Sequence, residues 1–425
     1  MAIINGNYRE IVLDNGFSIV LQETPTRTIS SVLRINHGGL HEKDGEEGLA
    51  HFLEHCIMSG GTEKYNPERL EEIRDCFGEV GASTGPGRTM YNASFLSEDF
   101  ENYLDFISEL VFSPRFDNER INGERQRVLR EIADAKTSIA ARDNYAFKNE
   151  TYRGHPINHW VLGKEDVVGK SSINDLRKFH RRGYNVNNMD LAIVGGLPRN
   201  VEELVRNYFN YKSLGESGKI DFPLLQPLER SVILHRNAPD LYNGSNQDES
   251  MSHIGISLIT VPDLHEDNYA VRMISYILGG DASSRLFKKI GLEKGLAYSV
   301  KSDCSGDYNA GVMSINASVP SKRQEEAVDA IFDEMRKFRE EKIPERDVDR
   351  PKRIIRYRVG RMLESNGGHL YAINEKRDTG RKPEDFLNGY DAVTSQRINE
   401  VANKYLPTSR EDGKYVLILR DPLKK

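Results

Sequence analysis

The sequence predicts an α+β fold built from two similar halves, and three observations carry that prediction. The chain has 425 residues, more than one hydrophobic core sustains, so at least two units follow. A strand at Ile29–Ile35, then Leu40-His41-Glu42, then a helix, returns as Met251–Leu258, then Leu264-His265-Glu266, then another helix, the two Leu-His-Glu triplets lying 224 positions apart. Both stretches close on an apolar strand, Met189–Val194 and Lys414–Leu419. Two α+β halves with one element order account for all three. The division falls at residues 1–213 and 230–425, with the Gly- and Pro-containing stretch 214–229 as linker.

The elements follow from local pattern. Tyr8–Leu13 and Phe17–Gln22 alternate around Asp14-Asn15-Gly16, a β-hairpin signal. After the strand Ile29–Ile35, His37–Glu42 reads as a loop whose histidines face solvent. From Gly48 to Met58 no Pro or further Gly interrupts a helical pattern. Pro67–Phe77 is a short helix, and residues 82–84 and 88–96 are strands around Gly85-Pro86-Gly87. Asp99–Phe112 and one long segment, Asp117–Ala141, are helices. Ser172-Ile173-Asn174-Asp175 resembles a capping box. Asn188–Val194 is a strand and Val201–Tyr211 a helix. In the second half, Ile343-Pro344-Glu345 before a helix echoes Ser113-Pro114-Arg115.

Composition narrows the function. A net charge of −6 lacks the basic footprint of a nucleic-acid binder. Residues 1–9 hold no basic region followed by an apolar run, and no stretch is long and apolar enough to span a bilayer, so a cytoplasmic, non-membrane protein is expected. Three scattered cysteines, Cys56, Cys76 and Cys304, fit a reducing compartment without disulfides. Cys56 points about 100° away from His55 on a helix and is expected to be a buried thiol.

The chemistry concentrates in His51-Phe52-Leu53-Glu54-His55. On a helix, i and i+4 share a face, so His51 and His55 point the same way with Glu54 beside them. Two neutral imidazoles so placed suit a divalent metal such as zinc. A neighbouring carboxylate can take a proton from an attacking water. The order H-x-x-E-H inverts the commoner zinc-protease motif. A polar-face pair of histidines on an amphipathic helix is the bland alternative, and a third ligand separates the two. Glu124 and Glu131, seven apart on the long helix, share a face and are both candidates. In the 224-residue register, His51, Glu54 and His55 fall opposite Ser275, Leu278 and Gly279, so the metal set belongs to the first half alone.

H-x-x-E-H followed by Glu131 in Leu129-Arg130-Glu131-Ile132, with Glu124 before it, resembles the pitrilysin-type (M16) zinc peptidases. These include the mitochondrial processing peptidase β subunit and its smaller prokaryotic relatives. The likeness extends to Asn188–Gly195 and to Gly295-Leu296-Ala297-Tyr298-Ser299-Val300. It implies two halves forming half of a clamshell, His51, His55 and Glu131 as zinc ligands, Glu54 as general base and Glu124 as a supporting carboxylate. It further implies peptide substrates cleaved in a closed chamber, gripped by Tyr298 and by a strand at Ala82. Two departures stand out. The Arg that the resemblance places seven residues before Tyr298 is Gly291, with Arg285 and Lys288 nearby but out of register. Gly81 and Gly87 fill the Asn and acidic slots of the substrate-binding strand. The lost Arg removes a donor to a carbonyl or oxyanion, worth about 3–4 kcal/mol. A zinc-bearing subunit that works with a homologous partner supplying an Arg/Tyr pair is therefore expected, with a homodimer as rival. The second class is a non-catalytic binding or assembly subunit.

Overall fold

The computed structural model describes residues 8–210, 218, 220–238 and 251–422. In chain order the strands are β1 (Tyr8–Val12), β2 (Ser18–Glu23), β3 (Thr28–Ile35), β4 (Glu79–Thr84), β5 (Thr89–Leu96), β6 (Met189–Gly195), β7 (Val232–Ala238), β8 (Met251–Ile259), β9 (Ser299–Ser305), β10 (Val312–Pro320) and β11 (Val416–Pro422). The α-helices through the first half are α1 (Leu49–Ser59), α2 (Pro67–Asp75), α3 (Phe100–Phe112), α4 (Asn118–Thr137), α5 (Ile139–Thr151), α6 (Glu165–Lys170), α7 (Ile173–Gly183) and α8 (Val201–Phe209). Beyond the linker lie α9 (Asn268–Gly279), α10 (Gln324–Glu340), α11 (Glu345–Met362), α12 (Asn366–Thr379), α13 (Pro383–Asp391) and α14 (Ser395–Tyr405). Residues 211–217 and 219, which include the start of the expected linker, lie outside the described residues. So does Tyr211, the expected last residue of the helix at α8.

The chain folds into two compact units. The first takes Met1–Ala135, His159–Asp221 and Val359–Pro383; the second takes Lys136–Asn158, Phe222–Arg358 and Glu384–Lys425. The first sheet runs β1-β2-β6-β3-β5-β4 and the second β7-β11-β8-β10-β9. Apart from β1 the orders correspond strand for strand. Each sheet has one parallel pair, β2 with β6 and β7 with β11, and is otherwise antiparallel. The element-order repeat read from the sequence is therefore a repeat of topology.

The repeat does not keep one register. The strands β3 and β8 hold the offset, but α1 starts seven residues after Glu42 whereas α9 starts two after Glu266. The five extra residues lie within 43–48, the approach to α1. By helix start, His51 is the third residue of α1, and the third of α9 is Ala270 rather than Ser275. Neither offers a metal ligand.

Period 2 gives each central strand of the first sheet two buried faces. Ile19, Leu21, Leu33, Leu191 and Ile193 join the main core with α1 and α3. Val20, Val32, Ala192 and Val194, on the opposite face, pack against Leu370 and Ile373 of α12. That helix comes from beyond the linker. Charge pins it: Arg34 reaches Asp190 at 2.9 Å and Asp378 at 3.1 Å, Arg88 reaches Asp378 at 2.9 Å, and Arg377 reaches Asp190 at 2.5 Å. Asn366 Nδ2 donates to the Thr28 carbonyl at 2.9 Å. The exchange is reciprocal. α5, from before the linker, belongs to the second unit, where Arg420 Nη2 donates to Asn144 Oδ1 at 2.7 Å.

Two local expectations are corrected. The single helix over Asp117–Ala141 is two helices, because Ser138 turns extended (φ −63, ψ 115) and caps α5 by accepting from the Ala141 amide at 3.3 Å. Nothing in the residue pattern breaks there; the chain changes units at that point. The loop histidines do not face solvent. His37 is 2% exposed and packs against Phe179, its ring tilted 46° with centroids 4.4 Å apart, in space left by Gly183, where a Cβ would sit 2.0 Å from the ring. His41 is half-buried, its Nδ1 accepting from the Gly38 amide at 2.9 Å and its Nε2 paired with the Gly218 carbonyl.

Candidate metal centre

α1 forms because Leu49, Phe52, Leu53, Cys56 and Ile57 recur at helical spacing and are all buried. Burying side chains such as Phe52 and Leu53 contributes about 1.5–3 kcal/mol each. This holds the opposite face, with His51 and His55, in one direction. The helix ends at Gly60. Cys56 is a buried thiol, as expected, with its pKa driven up by burial.

His51 Nε2 and His55 Nε2 lie 3.3 Å apart, and Glu131 Oε2 on α4 lies 3.7 Å from each. Among the described residues, this trio forms the one group of His, Cys, Asp and Glu placed to hold a metal ion. Two ligand atoms at about 2.0–2.1 Å from a tetrahedral centre stand about 3.3 Å apart, so the donor spacing fits a zinc-sized ion. Protonation fits too. His55 Nδ1 meets Glu124 Oε2 at 3.0 Å, which assigns the ring proton to Nδ1 and leaves Nε2 as a free lone pair. His51 Nδ1 is buried with no hydrogen-bond partner among the described residues.

Electrostatics separates the two imidazoles. His51 is pushed down to about 4 by burial, then by the charge of His55, so it stays a neutral donor. Burial would also lower His55, but Glu124, Glu131 and Glu54 outweigh it and raise its pKa. Glu124 is lowered despite burial, through its bond to His55 and the nearby Arg127. Glu54 is raised, chiefly by burial, with Glu131 adding to the effect and Thr84 and His55 opposing it. Thr84 Oγ1 donates to Glu54 Oε2 at 2.5 Å. A carboxylate held so, on the helix that carries the histidines, is a stronger base than a solvated one.

All five expected chemical residues, His51, Glu54, His55, Glu124 and Glu131, thus gather in the first unit. Ala82 lies on β4, the sheet's edge strand, two residues before Thr84. Tyr298 is in the second unit, 83% exposed, just before β9. Gly291 sits in a π-helical turn, Phe287–Glu293. Arg285 does not stand in for the missing Arg, since Glu334 at 2.5 Å and Glu341 at 2.6 Å hold it. Thr84 went unnoticed in the sequence, where a strand Thr carries no signal.

Fold and site together define a protein of two α+β units with a His/His/Glu cluster in the first, the architecture of one half of an M16 peptidase. The chain is a homologue of the M16, or pitrilysin, zinc peptidases. Residues 18–165 match the model for Insulinase (Peptidase family M16), and residues 170–355 match the Peptidase M16 inactive domain. An uncharacterized zinc protease of Rickettsia bellii is 28% identical over 411 residues, covering 95% of this chain and 96% of that protein. The uncharacterized zinc protease YmxG of Bacillus subtilis is 24% identical over 399 residues, covering 92% and 93%. Among solved structures, a protease from Helicobacter pylori superposes with a TM-score of 0.81 at 20% identity, covering 98% of this chain and 99% of that one. The periplasmic protease PqqL from Escherichia coli gives 0.82 at 16% identity, covering 99% of this chain and 48% of that one. These structures share the fold.

Proposed function

We propose that this chain is a zinc endopeptidase of the small prokaryotic, processing-peptidase-β-like kind, cleaving peptides or unfolded segments. The observation that carries the reading is the convergence of His51, His55 and Glu131 on one point, with Glu124 behind His55 and Glu54 beside it. His51, His55 and Glu131 would hold the ion. When bound, zinc supplies Lewis acidity, which polarises a carbonyl and acidifies water. Glu54 takes the proton of the attacking water and returns it to the leaving amine. Glu124 keeps the His55 proton on Nδ1, so that Nε2 remains a donor. A substrate strand adds to β4 at Ala82 through backbone bonds, and Tyr298 contacts the peptide.

The working form is a two-chain assembly in the cytoplasm, closing a chamber around its substrate. Gly291 in place of an Arg supports a homologous partner that brings the Arg/Tyr pair. The match to about half of PqqL agrees with a chain that supplies half of a larger peptidase. The test is purification from the native cell, with metal content and peptidase activity measured on one fraction, beside the Glu54→Gln chain. The reading expects about one zinc per chain, and activity abolished in Glu54→Gln with zinc retained. Activity surviving that substitution removes the base; a metal-free native fraction favours a binding or assembly subunit.

A further inference from the structure

His55 is oriented by Glu124, but His51 has no such partner: its Nδ1 is buried without a hydrogen bond among the described residues. The direction of His51 therefore depends on the backbone of the first turn of α1. That turn begins at Gly48, which has φ +101 and no side chain to cap it. A larger residue cannot take the place, because a Cβ there would lie 2.9 Å from the Leu162 carbonyl and from Val168. The cap comes instead from six residues upstream. Glu42 Oε1 accepts from the Ala50 amide at 2.8 Å. A negative group at this end also suits the helix dipole. The Glu42 side chain is 1% exposed, and its other oxygen meets His159 Nε2 at 3.2 Å. Gly39 leaves the room for that ring, since a Cβ there would lie 2.7 Å from His159 Cδ2.

We infer that Glu42, tethered by His159, is a positioning residue of the metal centre: it fixes the first turn of α1 and so aims His51. The second half supplies a contrast. Its Leu-His-Glu triplet has an exposed Glu266, and no metal ligands follow on α9. The inference rests on the metal reading above.

The test uses the full chain, stripped of metal and titrated with cobalt(II) against a competing chelator, with the cobalt absorption spectrum recorded. Glu42→Ala should weaken cobalt binding about tenfold and shift the spectrum. Glu42→Gln keeps an acceptor for the Ala50 amide and should return affinity to within about threefold of the parent. His159→Phe keeps a ring against Gly39 without the tether and should fall between the two. Parental affinity and spectrum in Glu42→Ala overturn the inference, whatever the loss of thermal stability. Equal losses in Glu42→Ala and Glu42→Gln also overturn it, since the amide bond would not be the cause. If Glu42→Ala does not fold, parental cobalt binding in His159→Phe has the same force. A parent chain that binds no cobalt overturns the metal reading, and this inference with it.

Discussion

His37 lies against Phe179, His41 and the backbone of Gly183, and its pKa falls to about 3, through burial first and then the charges of His41 and Arg182. In an unfolded chain the same ring protonates near 6.5. Above that pH the residue is neutral in both states and its contribution is whole. As pH falls, the unfolded chain takes up a proton that the folded one refuses, and stability declines by about 1.4 kcal/mol per pH unit. Between pH 8 and pH 5 the first unit loses about 2 kcal/mol through His37 alone. His180, lowered to about 4 by burial, acts in the same direction. Trp160, the single tryptophan, lies in the first unit, so its fluorescence during urea unfolding reports on that unit. With a slope of about 2 kcal/mol per molar urea, the His37 share moves the midpoint by about 1 M. The measurement is made with chelator present at each pH, on the parent chain and on His37→Gln. The variant should be weaker at pH 8 yet lose less on acidification. Equal pH slopes in the two proteins would refute the argument.

Two further substitutions probe the site. Glu124→Gln keeps an acceptor for His55 Nδ1 but removes the charge, and zinc affinity by chelator competition should fall about 10–100-fold with the fold intact. Gly291→Arg restores a donor at a position where a Cβ meets nothing closer than the Ala297 carbonyl at 3.7 Å. Its thermal midpoint should match the parent's, and peptide turnover by the isolated chain should rise by about tenfold or more. No rise would remove the missing Arg as the reason for needing a partner.

What the sequence discloses here is what is local. The i, i+4 spacing of His51 and His55 and the capping box at Ser172 depend only on neighbours, and both hold in the structure. Glu131 needed a resemblance to single it out from Glu124, because both lie on one helical face and only the packing of α4 against α1 decides which meets the two Nε2 atoms and which meets His55 Nδ1. The break at Ser138 and the exchange of α5 and α12 left no trace in periodicity, since both helices keep ordinary patterns and differ only in the sheet they cover. Glu42 was visible as part of a repeat, yet its capping role depends on the left-handed turn at Gly48. His37 was misplaced because its burial depends on a glycine 146 positions away, Gly183.

The helix exchange also sets a clock on biosynthesis. The three candidate ligands have all been translated by Glu131, but the rear of their sheet waits for α12, in the segment Val359–Pro383. At about 5–20 residues per second, roughly ten to forty-five seconds separate the two events. Until then Val20, Val32, Ala192 and Val194 lack the cover of Leu370 and Ile373, and Arg34 and Asp190 lack their partners on α12. A nascent chain therefore carries its three candidate ligands before it has the helix that covers the far face of their sheet.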